Sequence, residues 1–367
     1  MTKSMTMNRE NYKRLGDYIR LVDVRNRDLA ITNLLGVSIS KIFIPSIANT
    51  IGTDMSTYKI VEPYQFAYGP VTSRNGDKIT FALYKGAEKC IVSSAYVTFE
   101  IINKEKLDPD YLMMWALRPE FDRYARFMSN GSAREMFSWD EMCEVYLPIP
   151  DIDEQRRIVA EYQAVEKRIA TNEALIAKLE ETTTTIYKDM FVDGIDTEGL
   201  PDGWHEGIFG ELADVSSGKT LSDKRDSPDN VYKYPVAGAS GIIGFTSEYN
   251  QSKPYLTTGR VGTIGVVNKY REKSWTADNV LVIKSDYYNF AYQFLKGFRY
   301  EDIIKGGVQN LITQTDIKNA YCIVPNRDCL IEFERKANIL SEDIRLHQQE
   351  NTLLLELKST LLGKMVI

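Results

Sequence analysis

The feature that most constrains this chain is that it repeats itself at an interval of about 175 residues, a signal that decides fold class before any local pattern is interpreted. The sharpest stretch is VYLPIPDIDEQRRI (145–158), which lies over AYCIVPNRDCLIEF (320–333) so that Tyr146 falls on Tyr321 and Pro150 on Pro325. Upstream and in the same order, Gly131-Ser132-Ala133-Arg134 faces Gly307-Val308-Gln309-Asn310, and Ser73-Arg74-Asn75-Gly76 faces Gly259-Arg260-Val261-Gly262. Leu15-Gly16-Asp17 faces Phe209-Gly210-Glu211. Each match is short, but the ordered set predicts two similarly organised halves.

Each half closes on a long helix. Steps of four and three pick out Ile158, Tyr162, Val165, Ile169, Asn172, Ile176, Leu179, Thr183, Ile186 and Met190, a coiled-coil seam with polar breaks. The same offset gives Phe333, Ala337, Leu340, Ile344, His347, Asn351, Leu354, Lys358, Leu361 and Met365. Pro150 and Pro325 stand just ahead, where proline is tolerated at a helix start. The linker DGIDTEGLPDG (193–203) is full of turn formers and lets the chain leave the first helix. The two helices are expected to pair antiparallel within the chain, placing Asn172 opposite Asn351, Ile176 opposite His347 and Ile158 opposite Met365. A buried Asn pair would set register at some cost in stability. Packing of these helices on the globular parts, or on partner chains, is the alternative.

The globular halves read as mixed α/β. Residues 79–85 and 89–101 are strand-like and 111–128 has helical spacing; in the second half 263–270 and 279–285 are strand-like and 288–298 helical. The expected organisation is a globular domain at 1–150, a helix at 151–192, a second globular domain at 193–325 and a second helix at 326–367.

Catalytic motifs are missing from the sequence. SSGKT (216–220) lacks the glycine a phosphate-binding loop needs, because position 213 is Ala. There is no Asn/Asp-Pro-Pro-aromatic tetrapeptide, no Pro-Pro at all, and no HExxH or GxSxG. Cys90, Cys143, Cys322 and Cys329, with only His205 and His347 besides, do not have metal-site spacing and read as buried thiols. No apolar run is long enough to span a membrane and no signal core opens the chain, so a soluble cytoplasmic protein is expected.

The chain reads as a binder, and its candidate contacts lie on the repeated loops. Arg74, Asn75 and Lys78 in one half and Arg260 in the other sit on tight Gly-bearing turns. Asn130, Ser132 and Arg134 are matched by Lys305, Gln309 and Asn310. Guanidinium and amide groups suit guanine and adenine edges, and glycine admits close backbone approach. Lys219 and Thr220 add expected phosphate contacts, which position without specifying. A net charge of −6 argues against nucleic acid. The acid is concentrated, however: residues 1–150 carry 19 Lys and Arg against 18 Asp and Glu, whereas 151–193 carry 6 against 10.

The layout of domain, proline-led helix, domain and proline-led helix resembles the specificity subunits of Type I restriction-modification systems. The segment LPIPDIDEQRRIVAEY (147–162) carries the resemblance, with echoes at CIVP (322–325) and TTGRVGTIGVV (257–267). The second copy departs from the pattern, with NRDCLIEFERKA where a Glu-Gln pair is expected, which leaves open whether the two helix starts make equivalent contacts. The resemblance implies that each globular domain reads one half of a bipartite double-stranded DNA target through the major groove. The helices would act as a spacer, a heptad rising about 10 Å or roughly three base pairs. It further implies two adenine methyltransferase subunits as partners, supplying S-adenosylmethionine and base flipping, and restriction subunits, joined through them, supplying ATP- and Mg-dependent cleavage. This chain itself would bind no cofactor or metal and catalyse nothing. A coiled-coil scaffold joining two interaction modules without DNA is the rival reading, and a single-chain nuclease or methyltransferase with degenerate motifs is another.

Overall fold

The computed structural model describes residues 12–46, 52–73, 76–130, 135–261, 263–304 and 311–365. They divide into two units that do not follow chain order: unit 1 is Met1–Thr171 with Glu350–Ile367, and unit 2 is Asn172–Gln349. Each long helix thus contributes a part to each unit.

Unit 1 starts with β1 (Tyr12–Arg14), a one-turn helix at Leu15–Asp17 and β2 (Ile19–Leu21). The hairpin β3 (Leu35–Val37) and β4 (Phe43–Pro45) follows, then β5 (Lys59–Val61), β6 (Phe66–Tyr68), β7 (Phe81–Leu83), β8 (Cys90–Val92) and β9 (Val97–Ile101). Three helices come next: α1 (Pro109–Leu117), α2 (Pro119–Met128) and α3 (Trp139–Cys143). Strand β10 (Tyr146–Pro148) closes the domain and α4 (Ile152–Phe191) leaves it. The main sheet is antiparallel in the order β2-β9-β6-β7. Its inner face is aromatic: Phe66, Phe81 and Phe99 are all fully buried, with Phe66 and Phe99 stacked at 4.9 Å. Side chains alternate across a strand, so these rings share one side and form the floor on which α1 and α2 pack.

Unit 2 repeats the plan. It contains β11 (His205–Ile208), a one-turn helix at Phe209–Glu211, β12 (Asp214–Ser217), β13 (Tyr234–Gly238), β14 (Gly241–Thr246), β15 (Tyr255–Gly259), β16 (Val267–Tyr270), β17 (Trp275–Thr276) and β18 (Val280–Lys284). Helices α5 (Tyr288–Gly297) and α6 (Gln314–Lys318), strand β19 (Tyr321–Val324) and helix α7 (Arg327–Lys364) complete it. The main sheet is again antiparallel, in the order β12-β18-β15-β16, strand for strand the order of unit 1. The halves differ in what lies beside the sheet: two small two-stranded sheets in unit 1, and a three-stranded β14-β13-β17 sheet in unit 2.

The short repeated motifs now have physical reasons. Opening and closing strands pair in both units, β1 with β10 and β11 with β19. Leu15 donates its N–H to Val145 O at 2.8 Å and Phe209 donates to Ala320 O at 2.9 Å, acceptors separated by the 175-residue offset. The glycines that follow are demanded by close packing. A Cβ on Gly16 would stand 2.8 Å from the Cys143 Cβ on α3, and one on Gly210 would stand 3.1 Å from Lys318 O on α6. These two five-residue helices are also capped alike, Ser138 accepting from Glu141 N and Thr313 from Asp316 N.

One expectation is corrected. Residues 111–128 are not one helix, because Arg118 is pulled to φ −71°, ψ 138° and separates α1 from α2. Pro119 is the cause: it excludes the helical conformation from the residue before it and then serves as the first residue of the next helix. The strand-like runs are also trimmed: 263–270 becomes β16 alone, and 89–101 splits into β8 and β9.

The long helices run antiparallel. Within unit 1 the start of α4 packs on the end of α7: Ile158, Val159 and Tyr162 join Leu361, Leu362 and Met365 in the unit's core. Glu166 pairs with Lys358 at 2.8 Å and Arg168 with Glu350 at 2.8 Å. Within unit 2 the polarity is reversed, the end of α4 meeting the start of α7, with the Phe333 ring 5.8 Å from Tyr187 and 5.3 Å from Phe191. Val165, Asn172 and Thr183 are buried, and Ile169, Ile176, Leu179, Ile186 and Met190 are half-buried. On α7, Ala337 and Ile344 are buried and Leu340, His347, Asn351 and Leu354 half-buried. No seam position on either helix is exposed.

Candidate nucleic-acid interface

The repeated loops leave the same place in both sheets. In unit 1 the connection from β6 to β7 carries Arg74, Asn75 and Lys78, and in unit 2 the connection from β15 to β16 carries Arg260. The second loop of each half leads into α3 or α6. The two loops are stitched together in each unit by an isolated antiparallel bridge, Val71 with Met136 in unit 1 and Val261 with Leu311 in unit 2. Backbone bonds reinforce the junction, Thr72 N to Glu135 O at 3.1 Å and Ile312 N to Arg260 O at 3.1 Å. Segments 50 or more residues apart are thereby held edge to edge. That suits a binding surface, because a loop carrying function is placed by the rigid sheet beneath it.

The named side chains sit as follows. Lys78 is exposed and Arg260 half-buried. Asn130 is exposed, and its amide donates to Met128 O at 3.0 Å. Arg74, Asn75, Ser132, Arg134, Lys305, Gln309 and Asn310 lie outside the described residues. Lys219 and Thr220 follow β12 at the end of the sheet from which Arg260 leaves, with β18 between them: Gly218 N donates to Val280 O, and Val280 pairs with Gly259. Lys219 is exposed, and the Thr220 hydroxyl donates to Asp278 at 2.8 Å. The backbone of SSGKT is engaged by protein: Gly218 N donates to Val280 O and Lys219 N to Thr276 O. A phosphate cradle requires those N–H groups to converge on the ligand, and here they do not.

Two features carry no repeat and escaped the sequence reading. In unit 1, Lys41 and Asp122 form an ion pair of 2.8 Å, both largely buried, at the floor of a cleft of about 780 Å³. Burial pushes the Lys41 ammonium down while Asp122 opposes the shift. In unit 2, three cations lie over tyrosine rings beside the β14-β13-β17 sheet: Arg225 over Tyr232 at 4.0 Å, Lys233 over Tyr234 at 5.2 Å and Lys273 over Tyr249 at 4.8 Å. Tyr234 and Tyr249 are themselves in contact at 5.0 Å. Asp229 fixes the preceding turn by accepting from Tyr232 N and Val231 N, and these bonds hold its carboxyl below the usual range. The alternation Tyr232-Lys233-Tyr234 was the available signal.

The Glu-Gln motif at the first helix start proves to be a clamp within the fold. Gln155 is fully buried; its Oε1 accepts from Asp108 N at 2.9 Å, and its Nε2 donates to Lys106 O and Pro150 O at 3.0 and 2.8 Å. It fastens the N-terminus of α1 to α4. In unit 2 the equivalent position is Leu330, buried in the core, and the clamp moves one turn along to Glu334. That carboxylate accepts from Asn289 N and Phe290 N at 2.8 Å and ties the start of α5 to α7. Burial pushes its carboxyl up.

The architecture is thus a duplicated α/β unit, each copy carrying a bridged pair of loops and a long helix. The model of the Type I restriction modification DNA specificity domain matches the chain twice, over residues 21–181 and 201–356. The chain belongs to that family, the DNA-target-recognising specificity subunits of Type I restriction-modification systems. It is 23% identical over 304 residues to the Type I restriction enzyme MjaIX specificity subunit of Methanocaldococcus jannaschii, covering 72% of this chain and 70% of that one. The crystal structure of a Type I restriction-modification system S subunit from M. genitalium is similar in fold, with a TM-score of 0.60 at 15% identity over 100% of this chain and 98% of the other. Among the described residues no helix is long and apolar enough to cross a membrane, and no cluster of His, Cys, Asp and Glu is placed to hold a metal.

Proposed function

We propose that the chain reads a bipartite double-stranded DNA target, one half-site for each unit, and brings two adenine methyltransferase subunits to it. The recognition domains are residues 1–150 and 193–325, and the helices at 151–192 and 326–367 act as the spacer. The observation that carries this reading is the bridged loop pair, which recurs on the same strands of the same sheet order in both units. Two like surfaces suit two half-sites, as duplicated DNA-binding modules require. Arg74, Asn75, Ser132 and Arg134 in one unit and Arg260, Lys305, Gln309 and Asn310 in the other are the base-reading candidates, with Lys78, Asn130, Lys219 and Thr220 positioning the backbone. The chain itself holds no cofactor and performs no chemistry. S-adenosylmethionine belongs to the methyltransferase subunits, and ATP and Mg to restriction subunits joined through them.

The test is selection of duplexes from a randomised pool by the chain in complex with the methyltransferase of its own system. Two short conserved blocks separated by a gap of fixed length are expected. A single continuous block, or no enrichment, would contradict the reading.

A further inference from the structure

Helix α2 buries Phe121, Asp122 and Ala125. Its opposite face carries Glu120 and Arg123 and, on the last turn, Phe127, which is 84% exposed and the most exposed large apolar side chain among the described residues. An aromatic ring on the polar face of an amphipathic helix contributes nothing to the core and gains stabilisation only from whatever covers it. Phe127 stands just ahead of the loop bridged to Val71, and it lines the 780 Å³ cleft together with Lys78 of the other loop.

A single carboxylate braces the cleft. Asp122 accepts the N–H of Ile79 at 3.1 Å as well as pairing with Lys41, so α2, the 76–79 turn and the 38–41 turn are fastened to one carboxylate. Lys41 has a left-handed backbone (φ 62°), a costly state for a side chain of this size. Its ammonium also donates to Ala116 O and lies 5.5 Å from the Phe121 ring. Four cations line the cleft, Lys41, Lys78, Arg123 and Arg126; Lys41 is paired with Asp122, Arg123 with Glu120 at 3.0 Å and Arg126 with Glu135. An exposed ring beside Lys78 and the bridged loops suits a duplex partner that displays an apolar group. In duplex DNA that group is the C5-methyl of thymine, exposed in the major groove while the ring faces stay stacked.

Resting on the assignment of unit 1 to one half-site, we propose that Phe127 reads a thymine methyl in that half-site while Lys78 holds an adjoining phosphate. The probes are the selected duplex and copies in which each thymine of the half-site set by unit 1 is replaced singly by deoxyuridine, which deletes only the methyl. The protein is the full chain in its methyltransferase complex. One replacement is expected to weaken binding by about fivefold. Phe127→Ala should weaken the thymine duplex by a similar factor and bind the thymine and uracil duplexes equally, while Phe127→Leu retains most of the discrimination. Lys78→Ala should weaken both duplexes alike and lower the salt dependence. The proposal is overturned if every uracil copy binds as the parent does, if the half-site contains no thymine, or if Phe127→Ala weakens methyltransferase assembly and leaves discrimination intact. Failure to select any duplex would overturn the bipartite reading itself.

Discussion

At the scale of single residues, the repeat is held by positions that look unremarkable in the sequence. Gly16→Ala forces a methyl against the Cys143 Cβ and carbonyl, and it is expected to cost about 1–3 kcal/mol in urea unfolding. Gln155→Ala leaves Asp108 N and two carbonyls without their buried partner and should cost about 3 kcal/mol. The same motif was legible as a family signature, yet its role was not, because two of its three partners lie nearly fifty residues upstream. Its counterpart in the second half was invisible to alignment: the clamp had shifted from position 330 to Glu334. Lys269 supplies a pH test. It lies 3.8 Å from the Tyr292 ring centroid, and burial pushes its ammonium down to about 8. The folded state therefore binds fewer protons than the unfolded state between about 8 and the ordinary lysine value. Its contribution is fully present above that ordinary value and is lost as pH falls through about 8. Lys269→Met should flatten the rise in stability above pH 8 by an amount on the order of 1 kcal/mol after solvent screening, measured by denaturant unfolding at pH 7, 8, 9 and 10.

At the scale of elements, the helices were the most legible part, since a seam of period 3.5 is a local pattern that survives any change in the surrounding domain. Even the run Thr182-Thr183-Thr184-Thr185, poor by propensity, stays helical. Each hydroxyl donates to the carbonyl four residues back, at 2.8 to 3.0 Å, and so removes its competition for the backbone. Within unit 2 the Phe333 ring is fully buried against Tyr187 and Phe191, so Phe333→Ala should cost about 3–5 kcal/mol. Leu353, on the same helix but 66% exposed, should tolerate Ala within about 0.5 kcal/mol. Thermal or urea melting of the two variants checks the contrast. The break at Pro119 was readable from its proline but was overridden by the apolar spacing around it. The small sheets beside each main sheet were not readable, since they depend on pairings such as Val61 with Cys90 and Val236 with Trp275 that no local periodicity announces.

At the scale of the molecule, duplication is the organising fact. The loops could be matched from Gly-bearing turns alone, and the structure stitches them in pairs on corresponding strands. The Lys41–Asp122 floor and the cation–tyrosine surface belong to one half each, and repeat logic could not reach them. That divergence fits the proposal that the two copies of one fold read two different half-sites. The most direct measurement is methylation-site sequencing of a genome exposed to the chain co-expressed with its methyltransferase, before and after residues 1–150 are exchanged for those of another specificity subunit. A two-part adenine-methylated motif is predicted, absent without this chain, of which the exchange alters one part and leaves the other part and the spacing unchanged. A change in both parts, or no motif from a complex that assembles and methylates, would contradict the account.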